Sequence, residues 1–98
     1  MIQTVEHVMS NSRLNLIRST LENQLSPTKL EIYDESDLHI GHAGAESGKG
    51  HFRILVVSQK FAGLSQISRQ RLVYKALADL MESDIHALSM STVAPDEN

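Results

Sequence analysis

The segment His51-Phe-Arg-Ile-Leu-Val-Val-Ser58 is apolar on both faces from Ile54 to Val57. A strand with that pattern belongs inside a sheet, with a neighbour on either side and a covering layer. Lys29-Leu-Glu-Ile-Tyr-Asp34 alternates, Leu30 and Ile32 against Lys29, Glu31 and Tyr33, as a half-buried strand does. Ile85, Ala87, Ser89 and Ser91 alternate with His86, Leu88, Met90 and Thr92 and supply the other neighbour. Leu14, Ile17, Leu21 and Leu25 trace one helical stripe after the capping residues Asn11 and Ser12, and Pro27 closes it, which predicts a helix over 12–25. A second helix follows Gly63, capped by Ser65 or Ser68, with Ile67, Val73, Ala76, Leu77, Leu80 and Met81 broadly on one side.

The order helix, strand, strand, helix, strand is that of an α+β fold, one small sheet covered on one face. With 98 residues the chain holds a single domain and a modest core. The expected division is an N-terminal extension over 1–11, a domain over 12–93 and a flexible tail over 94–98.

Topology places the chemistry. The middle strand, the long helix and the last strand form a β–α–β unit, so its two strands run parallel and start at the same edge. The segment 36–50, which holds four of the five glycines, enters the middle strand at that edge and reads as a long functional loop. His39 and His42 ride the loop, His51 opens the middle strand and His86 opens the last. Four of the five histidines are therefore candidates for one cluster, and His7 falls outside it. Neutral imidazole is the commonest protein metal ligand. Two loop histidines and one strand histidine are enough for a zinc site, with Asp34, Glu35, Asp37 or Glu46 as an oxygen ligand. Histidine also replaces thiolate on one iron of certain iron–sulfur centres.

The absence of cysteine removes disulfides, thiolate nucleophiles and cysteine-ligated metals. No Walker-type phosphate loop and no Gly-x-Ser-x-Gly elbow occurs, so no enzyme is expected. At 41% hydrophobic and 21% charged residues the chain has the balance of a soluble domain, and no run of about 18 apolar residues predicts a membrane span. The first residues lack the basic and apolar regions of a secretory signal, so a cytoplasmic location is expected. The net charge of −3 conceals a block: Lys49, Arg53, Lys60, Arg69, Arg71 and Lys75 carry +6 between Ser47 and Ala78, where no acid occurs, leaving −9 elsewhere. Lys49, Arg53, Arg69, Arg71 and Lys75 are accordingly candidates for docking a partner or nucleic acid.

Asp34-Glu-Ser-Asp-Leu-His39, the Gly-rich loop, His51–Ser58, Phe61-Ala-Gly63, Arg69-Gln-Arg71-Leu-Val73 and Ile85-His-Ala-Leu-Ser89 together closely resemble the BolA family, over about residues 12–93. The resemblance implies an α–β–β–α–β fold with a short extra helical turn before the long second helix, similar to the type II KH fold. It implies pairing with a monothiol glutaredoxin and a shared 2Fe–2S cluster, in cluster trafficking or iron regulation. The glutaredoxin cysteine and glutathione supply sulfur in that arrangement, and no cofactor is expected in the isolated chain, itself a monomer or weak homodimer. The final-strand ligand maps onto His86, and the loop ligand onto His39 with His42 as its rival. Gln70 departs from the histidine that many members carry between the two arginines. The alternative the family offers is a DNA-binding regulator of stress and morphology responses, using the KH-like fold and the basic 47–78 segment. The string Gly41-His-Ala-Gly44 lies in a β-hairpin, not between helices, and so lacks the setting of a KH nucleic-acid loop.

Overall fold

A computed structural model describes residues 5–36 and 49–97, with side chains from residue 12 onward. Helix α1 (Val5–Leu25) is followed by strands β1 (Lys29–Asp34) and β2 (Gly50–Val57) and a 3₁₀ turn (Gln59–Phe61). Helices α2 (Gln66–Ala76) and α3 (Ala78–Ser83), strand β3 (Ile85–Val93) and a last 3₁₀ turn (Pro95–Glu97) complete the chain. The sheet order is β1-β2-β3, with β1 antiparallel and β3 parallel to β2. The predicted α+β fold, the central position of 50–57 and the parallel crossover are all present.

Alternation along β2 sorts the sheet into two faces. Phe52, Ile54 and Val56 are buried under the helices, while Arg53 is exposed on the opposite face and Leu55 half-buried there. Ile17, Leu21 and Leu25 of α1 join them, with Phe61, Val73, Leu77 and Ile85, in one continuous core. The stripe expected of the first helix is thus the one that packs. Its start is earlier than expected, at Val5 and not residue 12, so Asn11 and Ser12 lie within the helix. Extending a formed helix adds one hydrogen bond per residue without a new nucleus.

The second helix divides in two. Leu77 (φ −99°, ψ 14°) leaves the helical basin between α2 and α3, yet its N–H still donates to Val73 and its carbonyl accepts from Met81. It is fully buried, so packing against the core holds this bend. Ser65 caps α2, its hydroxyl accepting from the Ser68 N–H at 3.1 Å.

The tail is a correction. Ala94 is fully buried, and the turn after it is fixed by Glu97, whose carboxylate accepts from the Ala94 N–H and from both terminal nitrogens of Arg69. Residues 94–97 are part of the packed domain.

Candidate functional site

The starts of β2 and β3 and the end of β1 share one rim, as the parallel crossover requires. Register steps here: Gly50 lies opposite Ile85, but His51 lies opposite Ala87. His86 is therefore the extra residue of a β-bulge, a feature that re-aims a side chain. Strict alternation would group Ile85 with Ala87 and Ser89. The bulge turns Ile85 into the core instead, where it is 1% exposed, and leaves His86 exposed. The ring of His51, itself buried, lies with its centroid 5.1 Å from that of His86, tilted by 46°. Thirty-five residues apart in sequence, the two strand-opening histidines meet.

The rim is tied from several elements. The Ser36 hydroxyl accepts from the His51 N–H (3.1 Å), and the His51 carbonyl accepts from the Glu35 N–H (2.8 Å). Gly50 donates to the Asp84 carbonyl at 2.8 Å. A side chain at Gly50 would run into the Phe52 ring and the Ser36 hydroxyl, so close approach explains this glycine. Both roots of the 37–48 segment are thus held by backbone and hydroxyl bonds.

His39 and His42 lie outside the described residues, as do Asp37, Glu46 and the string 41–44. Of the proposed oxygen ligands, Asp34 accepts from the Ser36 N–H (2.9 Å) and Glu35 pairs with Arg53 (2.9 Å). Among the described residues no three histidine or carboxylate groups converge to hold a metal. What the rim presents is one exposed imidazole backed by a buried one. That suits a centre whose remaining ligands come from elsewhere.

The basic residues do not form one docking face. Arg53 lies on the open face of the sheet, 4.3 Å over the Tyr33 ring and paired with Glu35. Lys49 stands half-buried at the root of β2. Arg69 is a correction: it is only 4% exposed, donating to the carbonyls of Leu64 and Thr92 and bidentately to Glu97 at 2.7 Å. That guanidinium holds the Glu97 carboxyl down to about 2. Arg69 is consumed inside the domain and unavailable to a partner. Arg71 and Lys75 are exposed and flank a groove of about 290 Å³ lined also by Leu64, Ser68 and Leu72.

Arg69 stands four residues before Val73 on the core side of α2, but what makes its burial tolerable lies 28 positions away, at Glu97. The His51 contact was legible only through the crossover, and the bulge that creates it had no signal in the alternation.

A family model described as BolA-like protein matches residues 21–97. The chain belongs to the BolA family. This BolA chain is 40% identical over 95 residues to SufE-like protein 1, chloroplastic/mitochondrial, of Arabidopsis thaliana, covering 92% of this chain and 26% of that protein. It therefore spans about a quarter of that relative's length. It is also 40% identical over 83 residues to the DNA-binding transcriptional regulator BolA of Vibrio cholerae, covering 85% and 76% of the two chains. The solved BolA domain of SufE1 from Arabidopsis thaliana superposes with a TM-score of 0.78 at 39% identity, over 89% of this chain and 96% of that one. The names of these BolA relatives describe no enzyme reaction for the shared domain, and one of them carries an organellar location.

Proposed function

We propose that this BolA protein is an adaptor that docks a monothiol glutaredoxin and co-ligates a 2Fe–2S cluster, in iron–sulfur cluster trafficking or iron regulation. The observation that carries the reading is the exposed imidazole of His86, set on a bulge at the root of the 37–48 segment and backed by His51. A ligand shared between two proteins has to stand at the surface of a rigid element, because a partner supplies the rest of the coordination. His86 is the first ligand and the loop contributes the second, His39 with His42 as its rival. When bound, the cluster supplies one-electron or transferable iron–sulfur chemistry, its thiolate ligands coming from the glutaredoxin and glutathione. This chain's part is to hold the imidazole, to keep the loop roots fixed and to offer Arg71 and Lys75 as docking cations.

The test mixes the purified chain with a cluster-loaded monothiol glutaredoxin and follows visible circular dichroism and mass. The expected result is a one-to-one complex with a spectrum distinct from that of the glutaredoxin alone. His86→Ala should remove that signature, with the far-ultraviolet spectrum and thermal midpoint unchanged, since an exposed bulge residue contributes within about 0.5 kcal/mol. A wild-type mixture whose spectrum equals that of the glutaredoxin alone refutes the reading.

The DNA-binding reading draws on the Vibrio relative's name. It predicts binding that weakens steeply with salt and with loss of Arg71 and Lys75. Arg69 cannot contribute a phosphate contact, because Glu97 and two carbonyls already occupy it, which thins the basic patch.

A further inference from the structure

The two edges of the sheet are protected differently. The β1 edge carries Lys29, Glu31 and Asp34, charges that discourage pairing with another strand. Strand β3 has no charged residue and no proline from Ile85 to Val93. Its two ends are nevertheless guarded, by the bulge at His86 and by Arg69, which donates to the Thr92 carbonyl at 3.2 Å. Between those guards lies an open stretch, Ala87–Ser91.

Ladder geometry says which groups that stretch presents. The Val93 carbonyl accepts from Ser58 at the end of β2, so the odd-numbered residues of β3 direct their N–H and C=O toward β2. The even-numbered residues direct theirs outward, in agreement with the Arg69 bond to Thr92. Leu88 and Met90 thus offer their N–H and C=O to the open side. Among the described residues no group hydrogen-bonds to them there. Their side chains are half-buried on the helix face, and Ala87, Ser89 and Ser91 are small and exposed on the other.

We infer that this stretch is a self-association surface whose occupant is β3 of a second copy, joined antiparallel about a two-fold axis at Ser89. An outward row of backbone groups is completed by an extended strand. The row Ala-Leu-Ser-Met-Ser is uncharged and nearly palindromic in size, so a second copy meets small against small and apolar against apolar, as an isologous interface requires. This register is singled out by Arg69. With Ser89 opposite Ser89, Leu88 of each copy exchanges both backbone bonds with Met90 of the other, and the Thr92 carbonyl is not needed. Centring on Met90 would instead require that carbonyl, which the guanidinium already holds. The strand is short and the contact small, so association is weak, with half-dimerisation expected between about 0.1 and 1 mM. The inference is independent of the cluster reading, which concerns the rim and not the strand edge.

Sedimentation velocity of the full chain from about 20 μM to 1 mM is the test, with an isotope-filtered NOE measurement on mixed labelled and unlabelled protein. The expected result is reversible dimerisation, with intermolecular contacts between Ser89 Hα atoms of the two copies, which form a close non-hydrogen-bonded pair. Ser89→Lys and Ser89→Glu each place like charges opposite one another and should weaken dimerisation at least tenfold. Residue 89 is exposed, so both variants keep the monomer fold. An equimolar mixture of the two should regain a mixed dimer at least as strong as wild type. A wild-type chain that remains monomeric at 1 mM overturns the inference. So does a dimer that both substitutions leave intact, or a mixture that fails to re-associate.

Discussion

Replacing Gly50 with alanine tests whether the rim is held by steric fit. The φ of Gly50 lies outside the left-handed region, so the new methyl meets only its neighbours. Built on the backbone, it falls 2.5 and 2.8 Å from two ring carbons of Phe52 and 2.9 Å from the Ser36 hydroxyl, where ordinary contact begins at 3.4 Å. The ring must retreat by most of an ångström, yet Phe52 is 2% exposed and packed in the core. Overpacking of this kind costs about 1–3 kcal/mol, and each kcal/mol lowers the midpoint of a domain near this size by about 4–8 °C. Urea and thermal unfolding followed by circular dichroism measure it. The mechanism is separable from a general intolerance of the site. Phe52→Leu removes the offending ring atoms, so Gly50→Ala should cost less in that background, with a coupling of about 0.5–3 kcal/mol. Strictly additive substitutions, or a Gly50→Ala variant as stable as wild type, would refute the reasoning.

Ser58 is fully buried, and its hydroxyl donates to the Leu25 carbonyl at 2.5 Å while accepting from the Lys60 N–H at 3.1 Å. Ser58→Ala leaves a buried carbonyl without that bond and should cost about 1–3 kcal/mol in denaturant titration, whereas Ser58→Thr should recover part of the loss. The Glu97 carboxyl sits at about 2 in the folded chain against an ordinary 4.5, chiefly through the Arg69 hydrogen bonds. Its contribution is therefore complete above pH 4.5 and is lost as pH falls from 4.5 toward 2. Thermal midpoints measured across that window should fall less for Glu97→Gln than for wild type, and the two curves should approach each other at the acid end. Parallel curves would mean that the pair does not titrate with folding.

The sheet was readable because period-two alternation and an apolar central strand leave few arrangements, and the right-handed crossover then fixed which strand ends meet. The parallel crossover alone brings His51 to His86. The bulge was not readable, since inserting one residue on an edge strand changes no composition and breaks alternation at a single place, Ile85. Arg69 was misplaced for a related reason. A guanidinium is ordinarily solvated, and its burial is made tolerable by two backbone carbonyls and by a carboxylate 28 positions later, delivered by the Pro95–Glu97 turn. The division at Leu77 came from packing around a leucine that suits either helix. Local pattern thus specified the elements, while departures from regularity were decided by contacts distant in sequence.

The bond from Glu97 to Arg69 also bears on how the protein is handled at the bench. An affinity tag or fluorescent reporter that replaces Glu97 would strip the buried guanidinium of its counter-ion and loosen the second helix from the last strand. Attachment beyond residue 97 leaves that clasp whole, so loss of solubility in a shortened version should be traced to this junction before the histidine rim is blamed.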